Sequence, residues 1–410
     1  MRIIDVDAHL HEPLDWVEAT DPALAEAIGP PARFMEIAGS VFGFADSSFT
    51  LLPEHQRPKD RWDLVPPGFV THLEMTDERQ PDDHAFQDDE GEAYFDAETR
   101  LRWCDARGID VQFLNPTFLV GAFVQAGRAR RFDVMNDIRR AWNTWATNVT
   151  AGHEDRLIPV AQIDLHDIEW SIAEMTRMRE RGSKAFVLPE APVTTPGEGK
   201  TLARSITHPD FEPIWDAAED LGMAAFAHVG FARERINPGW ANNGRDDVQT
   251  FNVLNTVANN MGPQLLCAAM VLDGLLERHP KLTVVVEEVG IDWLPHLVTS
   301  LEGAIGHKPE VLIDDEYRPS NLKRGETYTL PLSPVEYLQR QVRVTPLPAA
   351  HPIEPILRSS VPSEILCFSS DYPHVEGASD AVALSERQLV GFDNEVRERF
   401  FGGVAELLGV

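Results

Sequence analysis

The stretch DVDAHLHEP, residues 5–13, places His9 and His11 two positions apart at the end of the first predicted strand. Side chains two apart on an extended strand point to the same face, so both imidazoles can converge on one point. That is metal-ligand spacing. Later apolar runs end on residues of the same kind: His228 in AAFAHVG, Glu287 and Glu288 in VVVEEVG, and Asp371 in CFSSDYPH. Three imidazoles and a carboxylate make a borderline-soft donor set, suited first to Zn(II) and also to Mn(II) or Fe(II). One divalent ion held there would lower the pKa of a coordinated water, and Asp371 would take its proton.

Each residue also has a plainer account. An H-x-H pair arises by chance, a single histidine such as His228 is more often a satisfied core residue, and SSDYPH has the composition of a turn. What separates the functional account is placement, because these residues fall at the ends of different predicted strands.

The elements that must position them form a regular alternation. Residues 12–96 read as a long irregular insertion, apolar in GSVFGFADSSFTLLP and strongly acidic in DDHAFQDDEGEAYFDAE. Helical ETRLRWCDARG then precedes strand-like IDVQFLNPT, and the pattern continues through RLIPVAQIDL, SKAFVLPEAPV, MAAFAHVG, KLTVVVEEVG, QVRVTPL and EILCFSSDYPH. Near-continuous apolar strands separated by helices predict a parallel sheet covered by helices. Eight of them predict a closed (β/α)8 TIM barrel, whose site is built from the C-terminal strand ends. An open doubly wound sheet would want a glycine-rich phosphate loop after its first strand, and DVDAHLHEP has no glycine.

The chain has 410 residues. A single core usually stops growing at roughly 250–300 residues, but barrels with insertions reach about 400. Residues 1–410 are therefore read as one barrel domain, with 12–96 as an insertion or lid. A net charge of -30 repels nucleic-acid phosphates and anionic membranes, which leaves a small molecule as the expected partner. Cys104, Cys267 and Cys367 are unclustered, against a disulfide framework or thiolate zinc site and in keeping with a reducing cytoplasm. MRIIDVDAHLH lacks the layout of a secretory signal, and no run approaches a membrane span of about 18 apolar residues, so a cytoplasmic location is expected.

Through DVDAHLHEP, AAFAHVG, ERHPKLTVVVEEVGIDWLPHL and ILCFSSDYPHVEG, the chain resembles the amidohydrolase superfamily. The resemblance is to its amidohydrolase-2 branch, the enzymes similar to aminocarboxymuconate-semialdehyde decarboxylase. It implies a distorted (β/α)8 barrel with one divalent metal, His9, His11 and His228 as ligands, Asp371 as ligand or base, and a homodimer. Many decarboxylases of the branch carry a strand-six histidine in a stretch resembling His-Gly-Gly. This chain has EEVG there, so Glu288 takes that place as acid/base or metal ligand. In binuclear relatives a strand-four lysine is carbamylated; Lys184 lies too early in SKAFVLPEAPV for that role, and one metal is expected.

For substrate, Arg233 and Arg235 in HVGFARERINPGW would hold a carboxylate bidentately, and His374 would contact the ligand. Phe42, Phe44 and Phe49 would roof a pocket for an aromatic or cyclic molecule. The expected function is hydrolysis, through metal-activated water, of a C–N, C–O or activated C–C bond in a small carboxylate-bearing substrate. The alternatives are non-oxidative decarboxylation of an aromatic or conjugated acid, with Glu288 or Asp371 moving the proton, and a non-catalytic binding barrel.

Overall fold

In the computed structural model the first strand, β1 (Ile4–Leu10), is buried along its whole length. Its alternation divides two environments. Val6 packs in the main core and Ala8 and Leu10 in a second apolar cluster with Trp16, Val17 and Trp142, while Asp5, Asp7 and His9 occupy the intervening positions. The structure describes residues 2–13, 15–29, 31, 94–189, 192–197, 200–229, 258, 260–306, 330–347, 351–374, 377–378 and 380–410.

β1 pairs in parallel with β2 (Val111–Pro116), and β2 with β3 (Leu157–Pro159). A second parallel sheet runs β4 (Ala185–Pro189), β7 (Ala224–His228), β8 (Val284–Glu287), β9 (Val342–Val344). Three isolated parallel bridges join the sheets. Ala161 pairs with Phe186, Val344 with Leu366, and Tyr372 with Ala8. The segment 366–372 thereby lies between β9 and β1, where Val6 N donates to Phe368 O (3.2 Å) and His9 N to Tyr372 O (2.7 Å). Eight parallel segments close into a ring, a distorted barrel whose third and seventh strands are only three residues long.

The predicted runs hold these strands because they are apolar and rich in β-branched residues, which suit a sheet buried on both faces. Two helices stop where glycine was read as a stop: Ala97–Arg107 at Gly108 (φ 74°) and Glu212–Leu221 at Gly222 (φ 60°), both left-handed caps. Four features differ from the sequence reading. Helices Trp16–Thr20 and Pro22–Ile28 occupy the start of the stretch read as irregular. Helix Leu119–Arg128 follows β2, and β5 (Val193–Gly197) and β6 (Lys200–Arg204) form an antiparallel hairpin. The long helix read over 252–280 breaks at Gly274 (φ 70°), between Met261–Leu272 and Leu275–Arg278. Most of the insertion, including Phe42, Phe44 and Phe49, lies outside the described residues. Among those described, no helix is long and apolar enough to cross a membrane.

Candidate metal centre

Two imidazoles meet at the C-terminal ends of β1 and β7. His9 Nε2 and His228 Nε2 lie 3.1 Å apart. Each ring has its other nitrogen on a backbone carbonyl: His9 Nδ1 on Pro116 O at 3.0 Å, and His228 Nδ1 on Val229 O at 2.6 Å. A carbonyl only accepts, so both Nδ1 atoms carry a hydrogen and both Nε2 atoms face the shared space, where a bound cation would take the place of any proton on them. Such a backbone partner for the far nitrogen is the usual support of a metal-ligating histidine.

Carboxylates surround that space. Asp7 Oδ1 is 3.4 Å from His9 Nε2 and 3.6 Å from His228 Nε2. Asp371 Oδ1 is 3.6 Å from His9 Nε2, and Glu288 Oε2 is 3.0 Å from His228 Nε2. Asp7, His9 and His228 each offer a donor atom within 4.8 Å of the others, and so do His9, Glu288, Asp371 and His374.

Asp7 was missed by the sequence reading, although the signal was present. The rule that put His11 on the face of His9 puts Asp7 there as well, and an aspartate is as good a ligand for a hard or borderline ion. His11 itself belongs to neither group among the described residues. It lies beyond Leu10, the last residue of β1, with its ring 4.9 Å from that of Tyr94 and 5.0 Å from that of Phe118. Burial, with His9 and Arg100 adding to it, holds its pKa well below the ordinary value.

Glu287 and Glu288 both reach inward. Strict strand alternation would separate them, but β8 ends at Glu287 and Glu288 has a left-handed backbone (φ 59°). Glu287, fully buried, accepts from Asn115 Nδ2 at 3.2 Å. Asp371 is also fully buried and left-handed (φ 54°), with His374 Nδ1 3.0 Å from its Oδ1. His374 Nε2 in turn lies 3.1 Å from Thr117 Oγ1, and the His374 ring centroid is 3.8 Å from that of His9. His374 therefore stands beside Asp371 and His9. Arg233 and Arg235 fall outside the described residues. Lys184 is at the opposite end of the barrel, just before β4, with its Nζ on Gly409 O at 2.6 Å.

The electrostatics follow from burial among opposite charges. Burial lowers the His9 pKa and keeps that ring neutral. At His228 burial acts the same way, but the carboxylates of Glu288, Asp7 and Glu287 outweigh it and push the pKa up to about 10. Burial would raise Asp7, yet His228 and His9 hold it below the usual carboxylate value. Glu287 is pushed well above its ordinary value by burial and by the Asp7 charge.

The residues fit a divalent cation. Asp7, Asp371 and Glu288 share one buried space with the Nε2 atoms of His9 and His228, and Asp7 Oδ2 is buried with no hydrogen-bond partner among the described residues. Buried carboxylates need a cation beside them, and a divalent ion would serve where the proton on His228 otherwise does.

A family model described as amidohydrolase matches residues 4–408, and the chain belongs to that family. It is accordingly a metal-dependent enzyme, a hydrolase or a carboxy-lyase. Solved structures share its fold. An amidohydrolase from Mycobacterium avium subsp. paratuberculosis K-10 is similar with a TM-score of 0.68 and 22% identity, over 100% of this chain and 99% of that one. The 5-carboxyvanillate decarboxylase of Novosphingobium aromaticivorans DSM 12444, complexed with manganese and 4-hydroxy-3-methoxy-5-nitrobenzoic acid, has a TM-score of 0.61 and 15% identity, over 100% and 96% of the two chains. The 2,6-dihydroxybenzoate decarboxylase from Rhizobium has a TM-score of 0.55 and 14% identity, over 100% and 99%. No curated protein matches the sequence.

Proposed function

We propose that the chain is a metal-dependent, non-oxidative decarboxylase of an aromatic acid. The observation that carries this reading is the 3.0 Å approach of His374 Nδ1 to Asp371 Oδ1. Sequence reasoning favoured hydrolysis because Glu288 stands where many decarboxylases of the branch carry a histidine. His374 supplies an imidazole to the same site from the segment after Asp371. The fold likeness to decarboxylases of substituted benzoates supports the same choice.

Asp7, His9 and His228 would hold the ion, with Glu288 and Asp371 beside them. Replacing one expected imidazole by the Asp7 carboxylate makes the donor set harder, which favours Mn(II) over Zn(II). When bound, the ion supplies Lewis-acid polarisation of substrate oxygen and offsets the carboxylate charge.

The remaining work falls to the side chains. Protonated Asp371 delivers its proton to the ring carbon that bears the carboxylate. The bond to the carboxylate carbon then breaks, its electron pair returns to the ring, and CO2 leaves. Asp371, now ionised, is reprotonated through His374, whose side chain is 16% exposed and so reaches solvent. Thr117 Oγ1 on His374 Nε2 keeps that ring turned toward Asp371.

Hydrolysis retains one observation in its favour, since Glu288 Oε2 beside His228 is a second carboxylate able to accept a proton from water. The deciding experiment is CO2 release from hydroxylated benzoates by Mn(II)-loaded protein without oxygen or organic cofactor. Release supports the lyase; no release from any of them, with cleavage of amides or lactones instead, establishes the hydrolase.

A further inference from the structure

Asn115 lies on β2 directly opposite His9 in the parallel ladder and is fully buried. Its Nδ2 is 3.2 Å from Asp7 Oδ1 and 3.2 Å from Glu287 Oε2. An amide nitrogen has two hydrogens, one for each carboxylate, and its oxygen has none, so the two acceptors dictate which way the amide faces. The oxygen of Asp7 that receives this bond is the one lying 3.4 and 3.6 Å from the His9 and His228 Nε2 atoms. Among the described residues, no donor other than those imidazoles and Asn115 reaches the Asp7 carboxylate.

The next residue does the same for the second donor of β1, because Pro116 O receives the His9 Nδ1 hydrogen. The tip of β2 therefore orients both Asp7 and His9, one through a side chain and the other through backbone.

We propose that Asn115 is the positioning residue of the metal centre: it fixes the rotamer of Asp7 and stands between Asp7 and Glu287, so that the Asp7 oxygen stays aimed between the two imidazoles. This rests on the reading of the site as a metal centre. A carboxylate free to rotate would have to be ordered when the ion binds, and loss of such outer partners commonly weakens metal affinity 10–100-fold. Asn115 touches neither substrate nor ion in this account, and acts only through Asp7.

The test is Mn(II) titration of chelator-stripped full-length protein, wild type beside Asn115→Ala and Asn115→Ser, with the melting temperature of each metal-free form. The expected result is an affinity loss of about 10–100-fold in the variants, with metal-free melting close to wild type. A purely structural role predicts the reverse, lower metal-free melting with Mn(II) affinity within two-fold of wild type, and overturns the proposal. If Asn115→Ala gives no folded protein, Asn115→Ser decides. Failure of both to fold makes Asn115 a folding residue and overturns the proposal too. A wild type that binds no Mn(II) overturns the metal reading, and this proposal falls with it; that outcome is distinguishable because it appears before any variant is compared.

Discussion

Glu288 and Asp371 stand at the ends of two different barrel segments and share a backbone conformation that residues with a Cβ rarely adopt, with φ of 59° and 54°. Each such residue costs roughly 1–2 kcal/mol. Both carry a carboxylate into the same buried space, and in both the left-handed turn aims a side chain that strand alternation would have sent elsewhere. Strain of this kind is commonly concentrated at functional sites.

Asp371→Asn separates chemistry from folding. Asparagine is among the residues that tolerate a left-handed backbone, so melting stays near wild type. Loss of the proton carrier lowers kcat by about 10²–10⁴-fold. A variant within ten-fold of wild-type turnover would remove Asp371 from the mechanism.

At position 288 the ordinary stability order of alanine and glycine reverses. Glu288→Ala and Glu288→Gly lose the same carboxylate, but only alanine keeps the left-handed penalty. The glycine variant is more stable by about 1 kcal/mol in urea denaturation of metal-free protein. Equal stabilities, or a more stable alanine variant, contradict the strain argument.

Thr117→Val removes the hydroxyl 3.1 Å from His374 Nε2 and leaves the shape intact. Turnover falls about ten-fold, while Mn(II) affinity is unchanged. His374→Gln, which removes the relay itself, costs about 10²-fold and displaces the pH–rate profile. An unaltered profile in both variants rules out proton transfer through His374.

Glu12 predicts a pH dependence of stability. Burial pushes its pKa from 4.5 up to about 7, although Phe118 N and the Trp142 indole both donate to it. Between these values the unfolded chain has released a proton that the folded chain retains. Stability is therefore full below pH 4.5 and declines as pH rises to about 7. The decline is on the order of 3 kcal/mol. Glu12→Gln adds a pH-independent offset by turning an NH2 toward one of the two donors, but it abolishes the slope. The check is the difference between wild-type and variant unfolding free energies across pH 4.5–7.5, and a flat difference contradicts it.

Much of the barrel was legible because its strands are short apolar runs between helices with glycine stops, as at Gly108 and Gly222. The β5–β6 hairpin was not: VTTPG and KTLAR carry proline, glycine and polar residues, and no apolar alternation marks them. Helix Leu119–Arg128 was obscured by two glycines and two valines, residues of weak helix propensity. In the site, His9, His228, Glu288, Asp371 and His374 could be named because each lies at or near a strand end. Asp7 was passed over in favour of His11, since the eye follows paired histidines rather than the strand's limit at Leu10. Asn115 and Thr117 carried no local signal, as their roles depend on partners more than 100 positions away.

The seam between β1 and the segment 366–372 also sets an order of assembly. Ser370 donates to Asp5 through both its backbone (2.8 Å) and its hydroxyl (2.6 Å), across a separation of 365 positions. Contacts that distant form slowly, because the chain between them must be ordered first. During synthesis β1 emerges with Asp7 and His9 in place, but Asp371 and His374 arrive only with the last strand. A chain that ends before residue 366 thus carries Asp7, His9, His228 and Glu288 but neither residue of the proton relay. The segment that seals the barrel is the same one that arms it.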